Sequence, residues 1–394
     1  MPGSSNTTLR LKRGAAAPAG QNGVLVYTSD YLPNDGGISR LCQEIVHGLR
    51  LSGSPAQVLH CPASSHWKAT GRRTPVPQVV SPHQWDAFRL LSRRGRGGPV
   101  ICGLWYPDGL IAVLARVRPL VILAHGAELL PPEALWRRPL WRSLLRTVCA
   151  SADLVVANSA FTERLVREAA PSAHVAAIPL GVDHVRFCPG DRRCAKRAFA
   201  VEGRLVISTV ARLHSYKGHD VVMRALADLP AEVRSRFLYL VAGRGPSRDW
   251  LEGEARRLGV HREVRFLGFV PEEGLADLYR ASDLFALCTR EVGERREVEG
   301  FGLAFLEAQA CGTPVVGTRT GGIADAVREG EGGWLIDPDD ADSLARILMR
   351  MTTDTASFCE AGESARRRVE RDCTWAQYVG RLLEALRSHG IAVN

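Results

Sequence analysis

No stretch of the 394-residue sequence approaches the roughly 20 consecutive apolar residues a membrane-spanning helix needs. Its first 21 residues, MPGSSNTTLRLKRGAAAPAGQ, lack the apolar run of a secretory signal. They are small, polar and basic, and are expected to form a disordered tail, a short ordered strand being the alternative. The ten cysteines make no CxxC pair and no Cys/His spacing suited to a metal. Cys102, Cys149, Cys288 and Cys311 sit inside apolar runs, which fits buried free thiols in a reducing cytoplasm. Helix-turn-helix and zinc-finger patterns are missing too, so nucleic acid is not an expected partner. No DxD-like pair stands at a suitable strand end. The acidic DPDD at 337–340 reads as a helix-capping loop.

Apolar residues make up 45% of the chain and charged residues 24%, the profile of a soluble globular protein long enough for two domains. The net charge of +9 lies in one half. Residues 1–190 hold 21 Lys and Arg against 11 Asp and Glu, and the remainder 30 against 31. A basic half suggests an anionic partner such as a membrane surface or a phosphorylated acceptor, and an Arg-rich solvated face is the alternative.

Short apolar runs alternate with amphipathic ones. VLVYTS, QVLHC, VICGLW, LVILAH, DLVVAN and HVAAIP read as strands in the first half, with a helix opening at Ser159. After the Gly- and Pro-punctuated GVDHVRFCPGDRRC (181–194) the pattern restarts with LVISTVAR, FLYLVAG, EVRFLGFV, DLFALCT, PVVGTR and GWLIDP. Continuous apolar strands separated by helices predict parallel sheets covered on both faces. The expected organisation is a tail over 1–21, a Rossmann-like domain over 22–190, a second over 191–373, and a C-terminal helix within 374–394 that either stays with the second domain or crosses back. Two doubly wound domains imply a cleft, with ligands at the carboxyl ends of strands.

The residues at those ends carry the functional reading. Gly36 and Gly37 open a helix after the first strand, where bare backbone N–H groups suit a phosphate or sugar hydroxyl; a plain turn is the alternative. His125 ends LVILAH beside a glycine and is either a cleft contact or structural. Arg212 and Lys217 end LVISTVAR and precede a helix, a placement that suits a diphosphate. Gly243 and Arg244 end FLYLVAG in a compact turn suited to a nucleotide base. The most specific segment is Glu299-Gly300-Phe301-Gly302-Leu303 leading into a helix that carries Glu307. Its glycines leave N–H groups open to phosphate oxygens, and its two carboxylates suit vicinal hydroxyls on either side of a diphosphate.

At these residues the chain resembles the GT4 family of retaining glycosyltransferases. The likeness rests on the two Glu eight positions apart in EGFGLAFLE, on Arg212 and Lys217, on Gly36-Gly37, on the turn at His125, and on NSAFTERLV and IPLGVDHVRFCPG. It covers about residues 22–390. VEGFGLAFLEAQACGTPVVGTRTGG is most like the actinobacterial phosphatidyl-myo-inositol mannosyltransferase group, which uses GDP-mannose. The resemblance implies the GT-B fold, two Rossmann-like doubly wound domains facing across a cleft. It also implies Glu307 on the donor ribose, Glu299 on donor-sugar hydroxyls, and His125 against the sugar.

Arg212, Lys217 and the N–H groups near Gly302–Leu303 would then stabilise the departing diphosphate in place of a metal, so neither cofactor nor metal is expected. No carboxylate pair is placed as in a retaining hydrolase, so a front-face reaction is expected. The acceptor is a lipid, polysaccharide or small-molecule hydroxyl. LWRRPLWRSLLR (135–146) combines Trp, Leu and Arg, and reads first as an ordinary core-facing helix with Arg outside, a helix lying on an anionic bilayer being the alternative. The expected location is cytoplasmic, with peripheral contact at the inner face of the plasma membrane as an extension. Competing readings are a nucleotide-sugar epimerase or glycan phosphorylase of the same fold, and a non-catalytic binder of anionic surfaces.

Overall fold

The computed structural model describes residues 9–10, 23–31, 36–62, 78–80, 83–94, 97–132, 134–291 and 297–393. They form two compact units, Met1–Leu180 with Trp375–Asn394, and Gly181–Thr374.

The first unit is built on a parallel sheet of eight strands: β1 (Leu9–Arg10), β2 (Val24–Thr28), β3 (Ala56–His60), β4 (Gln78–Val80), β5 (Val100–Cys102), β6 (Leu120–Ala124), β7 (Leu154–Ala157) and β8 (Val175–Ala177). Their order is β1-β4-β3-β2-β5-β6-β7-β8. Every residue of β2, β6 and β7 is buried, because helices cover both faces and neither face needs polar residues. Six of these strands match the apolar runs of the sequence. The short β4 was not anticipated, and β1 is a short strand within the 1–21 segment, where such a strand was the alternative to a disordered tail. Apart from Leu9–Arg10, the tail over 1–21 lies outside the described residues.

The second unit holds a six-stranded parallel sheet: β9 (Leu205–Val210), β10 (Phe237–Ala242), β11 (Val264–Gly268), β12 (Leu284–Leu287), β13 (Val315–Thr318) and β14 (Gly333–Ile336). The order β11-β10-β9-β12-β13-β14 reverses direction between β9 and β12. Alternate residues feed opposite faces. Ile207, Tyr239 and Val241 join one core cluster, and Val206, Leu238 and Leu240 the other, as the period-two pleat requires. All six strands coincide with apolar runs in the sequence.

The turn-rich segment after Leu180 belongs to the second unit. Phe187 is fully buried against Tyr279, with ring centroids 5.9 Å apart. Arg366 Nη1 donates to the carbonyls of His184 and Phe187, each at 2.9 Å, and Arg280 Nε donates to that of Cys188 at 2.8 Å. The final helix, Trp375–Ser388, packs in the first unit against the helix Gly37–Leu51. A side chain at Gly48 would meet Val379 at 2.5 Å, so the two helices approach at a glycine. Among the described residues no helix is long and apolar enough to cross a membrane.

Candidate active site

In a doubly wound sheet the connections diverge at the strand-order reversal and leave a crevice beyond the carboxyl ends. In the second unit that reversal falls between β9 and β12, where the segment 211–220 follows β9. The Leu213 N–H donates to the Arg244 carbonyl at 3.0 Å, pinning this segment to the end of β10. Gly243 sits at φ +145° with room for no Cβ, since one would lie 1.8 Å from the Ala211 carbonyl oxygen. Gly243 and Arg244 thus fix the backbone that presents Arg212. Arg212 is exposed, and the exposed Arg244 guanidinium lies over the Phe269 ring at 5.6 Å.

Ser215–Lys217 form a tight turn, closed by Gly218 at φ +69°. Lys217 is only 8% exposed, and its Nζ lies 2.5 Å from Glu299 Oε2. Burial pushes the Lys217 ammonium pKa down, but Glu299 and Tyr216 more than offset that, and the net shift is upward. Lys217 is therefore a permanent cation at the strand end. The Gly322 N–H donates to the Glu299 carbonyl at 2.9 Å, which ties the residue to the loop after β13.

Gly300 is half-buried and Phe301 is 2% exposed, so Phe301 can face a ligand only through its backbone. The helix Leu303–Ala310 opens at Gly302, φ +92°, with no side-chain cap and no acid in its first turn. Its leading N–H groups and its dipole are thus left to an external anion. Just over one turn on, Glu307 is 7% exposed and accepts a 2.7 Å hydrogen bond from the Tyr279 hydroxyl. Lys217 and Glu299 thus meet just ahead of the uncapped helix, with Arg212 following β9 and Glu307 on the helix itself. The sequence reading missed Tyr279, which lies 28 residues from Glu307 inside an ordinary amphipathic helix.

In the first unit the strand order reverses between β2 and β5. The helix Gly37–Leu51 opens at Gly36 with no side-chain cap and no acid in its first turn, and Gly36 and Gly37 are both exposed. Residues 32–35 lie outside the described residues. His125 follows β6 and is held at three points. Its N–H donates to Glu128 Oε1 at 2.6 Å, its carbonyl accepts from Asn158 Nδ2 at 3.1 Å, and its Nε2 lies 2.7 Å from the Gly103 carbonyl. A carbonyl only accepts, so Nε2 is the donor in this contact.

Asp108, which the sequence reading also passed over, is fully buried and accepts from the Ser29 N–H at 3.1 and 3.2 Å. Desolvation raises its pKa to about 7 despite hydrogen bonds from Ser29 and Leu104. Its only sequence signal was its place just after an apolar strand.

Gly36, Gly37 and His125 belong to the first unit, and Arg212, Lys217, Gly243, Arg244, Glu299, Gly300, Phe301, Gly302, Leu303 and Glu307 to the second. Residues 35–186 match the family described as Glycosyltransferase Family 4, and residues 192–369 match Glycosyl transferases group 1. A GDP-mannose-dependent alpha-(1-6)-phosphatidylinositol monomannoside mannosyltransferase of Mycolicibacterium smegmatis is 33% identical over 287 residues, covering 71% of this chain and 74% of its own. A D-inositol 3-phosphate glycosyltransferase of Rhodococcus erythropolis is 32% identical over 307 residues, covering 74% and 68%. The crystal structure of Anabaena Alr3699/HepE in complex with UDP matches with a TM-score of 0.76 at 21% identity, covering 93% of this chain and all of that one, a likeness of fold. The chain therefore belongs to the GT4 family: it is a glycosyltransferase of GT-B fold that takes its sugar from a nucleotide donor.

Proposed function

We propose that this enzyme transfers mannose from GDP-mannose to an acceptor hydroxyl with retention and without a metal. The observation that carries the reading is the Lys217–Glu299 pair beside the uncapped helix at Gly302. The departing diphosphate develops negative charge. Arg212, the permanently charged Lys217 and the N–H groups at Gly302 and Leu303 supply preorganised positive ends for it, the role a divalent cation would otherwise fill. Glu307 is assigned the donor ribose and Glu299 the hydroxyls of the transferring sugar. His125, through Nδ1, is assigned a further sugar hydroxyl.

A carboxylate bound to Lys217 at 2.5 Å is a stabilised anion and a poor nucleophile. That favours a front-face reaction through an oxocarbenium-like state, in which the leaving phosphate takes the acceptor proton. The names of the relatives favour guanine and mannose in the donor and an inositol-bearing acceptor. The test is single-turnover reaction with GDP-mannose in EDTA. The anomeric configuration of the product is read by NMR, and intact-protein mass is followed on the same time scale. An α product without a mass increment on the enzyme is expected. A β product, or a kinetically competent glycosyl-enzyme, would overturn the mechanism.

The acceptor side points to an anionic bilayer at the cytoplasmic face. Trp136 and Leu140 are 75% and 71% exposed, with Arg137, Arg142 and Arg146 exposed around them on and just before the helix Arg138–Ser151. Apolar anchors ringed by arginines suit acidic lipid. Flotation with phosphatidylglycerol vesicles, lost in phosphatidylcholine and in Trp136→Ser/Leu140→Ser, is the expected result. Indifference to lipid charge would point to an acceptor outside the membrane.

A further inference from the structure

The turn that carries Lys217 is held from outside by a group of charges that the donor site does not use. Arg290 stands just beyond β12. Its N–H donates to the Tyr216 carbonyl at 2.8 Å, and its Nη1 to the Ser215 carbonyl at 3.4 Å. Its Nη2 donates to both oxygens of Asp220, at 3.0 and 2.8 Å. Ser215 and Tyr216 precede Lys217, and Asp220 follows it in the first turn of the helix His219–Ala227. One residue therefore grips the lysine turn on both sides. The grip is tight: a Cβ at Gly218 would lie 1.7 Å from the Cys288 carbonyl oxygen.

The charges close a ring. Arg290 reaches Asp339 at 2.7 Å, Arg224 reaches Asp339 at 3.1 Å, and Arg224 reaches Asp220 at 3.4 Å. Two guanidinium groups alternate with two carboxylates, so the charge of Arg290 is satisfied within the ring. A planar fork suits this bridging, which the single point charge of a lysine would not reproduce. Asp340 caps the next helix through the Ser343 N–H at 2.8 Å, as the DPDD segment suggested, while its neighbour Asp339 belongs to this ring.

We propose that Arg290 is a positioning residue for the donor diphosphate, acting through the Lys217 turn. The proposal rests on Lys217 being the diphosphate-binding cation. It predicts an effect on diphosphate recognition alone, and one that vanishes once Lys217 is gone.

The experiment is a double-mutant cycle of Arg290→Gln and Lys217→Met in the full-length protein. Calorimetry reads the affinity for GDP and UDP, and ligand-observed NMR reads that for guanosine and uridine. Arg290→Gln is expected to weaken nucleoside diphosphate binding roughly tenfold, to leave nucleoside binding unchanged, and to cost nothing further in Lys217→Met. Full additivity would overturn the proposal and make Arg290 a direct ligand. Equal losses for diphosphate and nucleoside would reduce it to general structural damage, and no loss would remove it. Should Arg290→Gln not fold, Arg290→Lys takes its place, keeping the charge and losing the fork. A wild-type protein that binds neither GDP nor UDP would refute the donor-site reading itself, and this proposal with it, a result distinct from each of the others.

Discussion

Asp108 is an acid held away from water, without an ion-pair partner among the described residues, and its consequences are thermodynamic. Its carboxyl is raised from 3.8 to about 7 by burial, with Asp30 adding to the rise. The folded protein therefore keeps a proton that the unfolded chain releases between about pH 4 and pH 7, so stability falls as pH rises through that window. The full shift corresponds to about 4 kcal/mol. Asp108→Asn should flatten this part of the profile, gaining melting temperature over wild type at pH 8 and not at pH 5. Parallel wild-type and variant curves would mean the carboxylate is already ionised at pH 5.

Tyr279 tests the donor site from behind, since its hydroxyl orients one oxygen of Glu307. Tyr279→Phe keeps the ring packed between Phe187 and Phe285. It should raise the KM for the nucleotide sugar several-fold with little change in kcat, as loss of one hydrogen bond of about 1 kcal/mol would. An unchanged KM would separate Glu307 from the donor. At this scale the sequence was informative wherever function is written in consecutive residues. Glu299, the glycines and Glu307 lie within nine positions, and the local spacing alone places them on one helix end. The ring around Arg290 was illegible for the opposite reason. Arg290 is 70 positions from Asp220, and Arg224 is 115 from Asp339, so only the folded sheet brings them together.

Among elements, the helix Leu303–Ala310 depends most on long-range support. Residues 305–310 are all buried, leaving no polar face to orient it. Arg368, 3% exposed, donates to Gln309 Oε1 at 2.9 Å and to the carbonyls of Ala326 and Asp325 at 2.7 and 3.0 Å. Nothing in the Arg-rich run RRR (366–368) singles out this one as buried. Arg368→Met takes the arginine donor from Gln309 Oε1 and from the Asp325 carbonyl, while the Ala326 carbonyl keeps the Gln309 Nε2 donor at 3.0 Å, and should cost about 2 kcal/mol, read by denaturant unfolding. A near-neutral substitution would show that water reaches the site.

Strands were the legible elements, because a sheet covered on both faces selects unbroken apolar runs. The exceptions were β4, three residues in the proline-flanked TPVPQVVSP, and β1, only two residues long. Neither is long enough to carry a pattern.

For the whole molecule, the chain's last helix belongs to its first unit. Apolar periodicity marked the helix but could not say which unit receives it. The glycine at position 48 carries that information only once Val379 is seen against it. Gly48→Val should loosen this helix, lowering stability by about 1–3 kcal/mol through overpacking, and Val379→Ala should recover part of it. Recovery to no degree would mean the two helices do not pack at this contact. The charge asymmetry also acts at this scale. The basic half carries the Trp136–Arg146 face, and the near-neutral half carries the residues assigned to the nucleotide donor.

The central claim is that Lys217 and Arg212 hold a nucleotide-sugar diphosphate without a metal. Titration calorimetry of the purified enzyme in EDTA, with GDP-mannose, UDP-glucose and UDP-N-acetylglucosamine, tests it most directly. The account predicts binding of GDP-mannose in preference to the other two, lost by tenfold or more in Arg212→Ala and in Lys217→Ala, about 1.4 kcal/mol each. Binding that appears only when a divalent cation is restored, or that survives both substitutions, would contradict it.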